Sequence, residues 1–212
     1  MQWNMRLILL FGIVVCNLSC STSSIKDADD FKILTTNAAL YQFDDLEFGK
    51  YRSSMLNLKP IHKGVDSFEL RIWYFGSPNE LFILRCLDNK WITCNYSYHI
   101  NERNIVDSQA VLCKQVNPQI AVNISNYLIQ DSVLKLPSQS AIPNFKDTSI
   151  YEGGHTYFLE IATKKFYKPL LYNNPQFHTD PYNKQFMQLI KYLETHFEIL
   201  HKSSSRRGSL PL

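Results

Sequence analysis

His155 stands in the run Glu152-Gly153-Gly154-His155, with Glu160 close behind it. An imidazole oriented by a carboxylate is the usual general base of a hydrolase, and flanking glycines leave room for a substrate. The same residues also make a plain turn. Gly153-Gly154 suits a tight connection into the strand Thr156-Tyr157-Phe158-Leu159-Glu160, where Glu160 takes a polar slot of the alternation. No GxSxG, HExxH or glycine-rich phosphate loop supplies a nucleophile, a metal or a nucleotide. The turn reading is therefore preferred and no catalytic residue is assigned. A periplasmic hydrolase using His155 and Glu152 is the alternative. His178-Thr179-Asp180 offers two ligands for a cation, yet Asp180 is needed to cap the helix that follows.

Beyond Cys16 and Cys20, the chain holds Cys86, Cys94 and Cys113, an odd number. A hairpin register setting Phe82, Leu84 and Cys86 against Tyr96, Cys94 and Ile92 makes Cys86 and Cys94 diagonal neighbours. That separation is about 7 Å, too wide for an unstrained bridge, so both are expected as buried thiols. No CxxC occurs and no histidine has ligand spacing to a cysteine, so no metal and no cofactor are expected. Tyr151, Tyr157, Phe158, Phe166, Tyr167, Tyr172 and Phe177 crowd one stretch. If those strands expose every second residue, half of the rings face outward as a platform for a glycan or peptide. His155, Tyr157, Tyr167 and Tyr172 are the binding candidates on that reading.

Of 212 residues, 45% are hydrophobic and 19% charged, which suits a folded globular domain and excludes a disordered chain. Lys and Arg number 22 against 19 Asp and Glu, without a basic stripe, so nucleic acid is not an expected partner.

The N-terminus speaks of export. Arg6 precedes an apolar run from Leu7 to Val15, too short to cross about 30 Å of hydrocarbon, and then Ser19-Cys20. Ser19-Cys20 resembles the lipobox of bacterial lipoproteins, with Asn17 and Leu18 departing from its usual order. The resemblance implies lipidation of Cys20 and a membrane partner reached through that anchor; cleavage without lipidation would instead leave a periplasmic or secreted protein. Residues 1–19 are then a signal peptide, 20–30 a polar tether, 31–201 a single domain and 202–212 a disordered tail.

Within the domain, residues 31–64 mix helix and strand cues. From Phe68 an antiparallel meander is expected, in the runs FELRIWY, ELFILRCL, WITCNYSYHI and SQAVLCKQV. Asn117-Pro118 opens a helix that lays Ile120, Ile124, Tyr127 and Leu128 on the meander. After a loop come TYFLEIAT and KFYKPLLY, the second an edge strand because of Pro169. Asp180-Pro181 starts an amphipathic C-terminal helix with Tyr182, Phe186, Leu189, Ile190, Leu193, Phe197 and Leu200 on its stripe. The fold class is α+β: an antiparallel sheet with a mid-chain and a C-terminal helix packed on it.

Three motifs carry a further resemblance: Leu136-Pro137-Ser138-Gln139, Gly154-His155-Thr156-Tyr157 and Tyr172-Asn173-Asn174-Pro175. With the meander, they make residues 65–200 similar to uncharacterised small lipoproteins and secreted proteins of Bacteroidota. The resemblance implies envelope localisation and domain extent, and carries no activity. The expected function is a lipid-anchored envelope module that binds or scaffolds an unidentified protein or glycan, with an immunity-type inhibitor as a further alternative.

Overall fold

A computed structural model describes residues 32–33, 45–76, 79–130, 132–145 and 155–197. The expected signal peptide, Cys20, the tether, Tyr151, Glu152, Leu200 and the 202–212 tail lie outside the described residues.

The fold is α+β. Six antiparallel strands stand in the order β7-β6-β2-β3-β4-β5. They are β2 (Phe68–Phe75), β3 (Asn79–Leu87), β4 (Lys90–Ile100), β5 (Val106–Gln115), β6 (Thr156–Thr163) and β7 (Phe166–Asn173). A two-residue β1 (Lys32–Ile33) adds parallel to the start of β7. The meander β2 to β5 follows the expected order. β6 returns to the other side of β2, so both halves of the chain share one sheet.

One face of the sheet carries α2 (Pro118–Gln130), the short α3 (Ser132–Lys135) and α4 (Pro181–His196). Phe68, Leu70, Ile72, Leu84, Leu159, Ile161 and Leu170 meet Ile124, Leu128, Phe186, Leu189 and Leu193 there. Asn117 Oδ1 accepts from Gln119 N at 2.9 Å, the expected cap of α2. The buried stripe of α2 is Ala121, Ile124 and Leu128, whereas Ile120 and Tyr127 are exposed. Small Ala121 lets the helix approach, and that turns the larger side chains outward.

α4 matches its expected start. Asp180 Oδ1 accepts from Tyr182 N and Asn183 N, each at 3.0 Å, ahead of Pro181 in the first turn. Burial alone would raise the Asp180 pKa, but these hydrogen bonds outweigh it and hold the carboxyl below its ordinary value. Asp180→Ala is expected to lower stability by about 1 kcal/mol in urea unfolding. An unchanged midpoint would show that the cap contributes nothing.

The opposite face is covered by α1 (Asp45–Met55) and the segment to Val65, with Phe48, Leu56 and Leu58 packed on Trp73, Leu81, Ile83 and Phe158. β2, β3, β6 and β7 are thus covered on both faces. That overturns the expectation that half of the aromatic residues face outward: Tyr157, Phe158, Tyr167 and Tyr172 are all buried, and Phe177 is the exposed one. It also corrects Glu160, which sits at 2% exposure rather than at a solvent slot.

The β3–β4 register differs from expectation by one residue. Asp88 and Asn89 have φ of 49° and 62°, the left-handed pair of a two-residue type I′ turn, and they pair Leu87 with Lys90. Phe82 then faces Asn95 and Cys86 faces Trp91, so Cys94 lies on the α1 face and Cys86 on the α2 face. Cys94 is not a thiol: it forms a disulfide with Cys113, directly opposite on β5, with Cα atoms 4.1 Å apart. Cys86 keeps its thiol, half-buried.

The two edges of the sheet differ. Beyond β1, the edge of β7 is closed by side chains that imitate a strand. Ser138 Oγ lies 3.3 Å from Leu171 N, Gln139 Oε1 accepts from Asn173 N at 2.8 Å, and Gln139 Nε2 donates to Asn173 O at 2.9 Å. Tyr172 donates to Pro137 O at 2.7 Å. The Leu-Pro-x-Gln motif therefore works as an edge cover, with Pro169 where no ladder bond is required.

Candidate functional site

His155 opens β6 and its Nδ1 is hydrogen-bonded to Tyr74 Oη, the two rings tilted at 4.7 Å. Burial, then the carboxylates of Glu80 and Glu194, push the Tyr74 hydroxyl up to about 12. Glu80 is Tyr74's register partner on β3, so strand pairing itself brings this phenol and carboxylate together. Of the two carboxylates offered for His155, Glu152 lies outside the described residues and Glu160 is elsewhere: His155 shares the end of the sheet with Tyr74 and Tyr157, while Glu160 faces α1. Tyr74 Oη is thus one hydrogen-bond partner of this imidazole, and it comes from β2.

Of the aromatic binding candidates, Tyr157 packs on Phe186 and Tyr74, and Tyr172 stacks on Phe186 at 4.0 Å with planes 11° apart. Tyr167 donates to Glu160 Oε1 at 2.8 Å. These rings build the core and do not form a surface platform.

Glu160 anchors a buried polar cluster that the alternating pattern concealed. Its Oε2 accepts from Trp73 Nε1 at 2.7 Å, and its neighbour across β2 is Arg71. Arg71 donates through Nε to Glu69 Oε1, through one terminal nitrogen to Ser53 Oγ and through the other to Lys59 O, each at 2.7 Å. It thereby clamps the C-terminal end of α1 and the segment just after it onto the sheet. Gly49 lies so close above that a Cβ there would stand 2.8 Å from both Glu160 Oε1 and Tyr167 Oη. Each nitrogen of the Arg71 guanidinium thus has an acceptor, Glu69 on its own strand and Ser53 and Lys59 at the end of α1 and just after it, so the cluster fastens that segment to the sheet.

His178 and Asp180, weighed above as cation ligands, each have a structural contact. Asp180 caps α4, and His178 packs against Phe145 with ring centres 4.8 Å apart. Among the described residues, no group of three or more His, Cys, Asp and Glu side chains gathers at metal-binding distance.

The open surface is β5. Ser108 to Gln115 are exposed on both faces of the strand, with Val111 at 46% and Leu112 at 64%. Val116 N donates to Trp91 O at 3.0 Å, and hydrogen-bonded pairs alternate along an antiparallel ladder. Even-numbered residues of β5 therefore turn their backbone groups to β4. Gln109, Val111 and Cys113 turn theirs away from the sheet. The short Cα separation at Cys94–Cys113 agrees, since bridged residues of a narrow pair belong to the non-hydrogen-bonded set. Sequence reasoning missed this edge because SQAVLCKQV reads only as one more, weaker strand; nothing in it says that no other described element covers it.

At the tip of the same hairpin, Asn101 Oδ1 accepts from Arg103 N and Ile105 N and stiffens the loop. His99, Ile100, Asn101, Glu102, Arg103 and Ile105 line a shallow depression there. Among the described residues, no helix is long and apolar enough to cross a membrane. Comparison with protein-family models, with curated proteins and with solved structures finds no match to this chain.

Proposed function

We propose that the chain is an exported, lipid-anchored module of the cell envelope that binds or scaffolds a protein through the β5 edge. The observation carrying this reading is a strand exposed on both faces, bearing Val111 and Leu112 and presenting unpaired-side backbone groups. Such an edge is a template for an added strand, and natural sheets usually blunt it with a proline, a bulge or a cover. The β7 edge has such a cover and β5 keeps the long open stretch. The run Leu7 to Val15 followed by Ser19-Cys20 supports export and anchoring. Several acyl chains in a bilayer, at about 0.8 kcal/mol for each buried CH₂, would hold the domain beside its partners stably.

Intact mass and membrane fractionation of the full chain test the anchor. The wild type is expected to carry acyl mass and to pellet with membranes, and Cys20→Ala to lose both. Two soluble, unacylated proteins would overturn it. A photoreactive residue at Gln109, whose backbone faces outward, is expected to give adducts in intact cells; one at exposed Gln188 on α4 is the control. No adduct at either position would overturn the binding reading.

A further inference from the structure

Resting on that binding reading, we propose that the β5 edge takes a second copy of this chain, antiparallel, about a two-fold axis normal to the sheet at Val111. The two sheets then run on as one.

The register follows from three observations. First, an axis normal to the sheet joins like face to like face, so residues set opposite one another have the same parity. The outward backbone groups belong to the odd residues, so odd must meet odd in hydrogen-bonded pairs. Centring on Val111 satisfies this, with Val111 against its own copy and Gln109 against Cys113 on either side. It also pairs the strand end to end, whereas a shift in either direction leaves an overhang.

Second, that register brings together the exposed apolar groups. Val111 packs on Val111, and Leu112 lies opposite Ala110 of the second copy, covering side chains that stand 46% and 64% exposed in the single chain. A centre at Ala110 would set Leu112 against Ser108 instead.

Third, the charges complement. β5 carries one acid near its start, Asp107, and one base near its end, Lys114. The ladder shifts between His99 and Ile100, and His99 Nδ1 lies 2.9 Å from Asp107 Oδ1, which places Asp107 on the same face as Ser108. Lys114 of the second copy faces Ser108, next to Asp107 on that same face. The antiparallel copy thus brings each acidic end to the other's basic end, and no like charges oppose.

The test is sedimentation velocity of the full chain in density-matched detergent over a concentration series. The wild type is expected at twice the chain mass. Val111→Lys sets two ammonium groups opposite each other on the axis and raises the dimer dissociation constant at least about tenfold. Val111→Pro removes an outward N–H and spares the bonds to β4, with the same loss of dimer. Lys114→Glu weakens the dimer, and adding Asp107→Lys to it restores association, which a different register would not do. Unchanged circular dichroism confirms that the variants fold; if the proline variant does not, the lysine variant and the charge swap decide. A wild type at single-chain mass throughout, or a dimer indifferent to both Val111 variants, overturns the proposal. Adducts from position 109 to another protein, with a monomeric wild type, overturn the second copy as occupant and leave the binding reading standing; loss of all adducts overturns both.

Discussion

Glu160→Ala is expected to lower the stability of the fold by about 3–5 kcal/mol, measured as the shift of the urea midpoint at constant slope. Truncation leaves the Trp73 indole N–H and the Tyr167 hydroxyl without their acceptor in a dry interior, and leaves Arg71 facing a gap where a carboxylate stood. Burying an unsatisfied donor costs more than a lost hydrogen bond gains, and here two donors are affected together. The loss reaches α1, because Gly49 rests on the same oxygen and Arg71 fastens the C-terminal end of that helix. A variant within 1 kcal/mol of wild type, on the scale of an ordinary surface substitution, would show that the cluster contributes little.

The pH dependence separates charge from shape. Burial holds the Glu160 carboxyl above its ordinary 4.5, against the opposing influence of Arg71 and the two donated hydrogen bonds. The folded chain therefore binds this proton more tightly than the unfolded chain does. The resulting stability is complete below 4.5 and is lost as pH rises through the raised folded value. Glu160→Gln keeps an acceptor oxygen and has no proton to lose. The stability of the wild type relative to Glu160→Gln is thus expected to fall as pH rises from 4.5, and a difference independent of pH would contradict the assignment.

Removing the disulfide is the second large effect. Cys94 and Cys113 are 19 residues apart in sequence, and closing a loop of that length restricts the unfolded chain by about 3 kcal/mol on the chain-entropy account. The double variant Cys94→Ser with Cys113→Ser is expected to lose about that much, and dithiothreitol to have the same effect on the wild type and none on the variant. The loss is local as well. β5 is exposed on both faces, so the ladder to β4 and this bridge are its attachments among the described residues. Amide exchange in β5 is expected to rise far more than in β2 or β6, which are paired on both sides. Equal loss of protection across the sheet would refute a local role.

Asp180-Pro181 and the stripe Phe186, Leu189, Ile190 and Leu193 announced α4, because a cap and a 3.6-residue period are local signals. The meander was equally legible from the period of two. That same period misled about solvent. Glu69, Arg71 and Trp73 alternate with apolar residues as an outward row would, but α1 lies over them and they are buried. α1 itself gave no warning: its buried residues are Asp45, Gly49 and Ser53, chosen for close approach and hydrogen bonding and not for apolar area. The β3–β4 register turned on whether Asp88-Asn89 forms a two-residue turn, and missing it moved Cys94 to the wrong face and hid the disulfide. Of the candidate site, His155 was found, but its partner Tyr74 comes from a strand far away in sequence. The β5 edge was invisible because exposure is set by what the rest of the chain leaves uncovered.

The covered edge at β7 has its own bearing on growth. A sheet with two open ends polymerises, because each added copy offers a fresh end. With β1 beside its start and Ser138 and Gln139 on the backbone beyond, β7 offers no long open edge among the described residues. Two chains that meet at β5 therefore terminate one another, and a filament has no way to propagate.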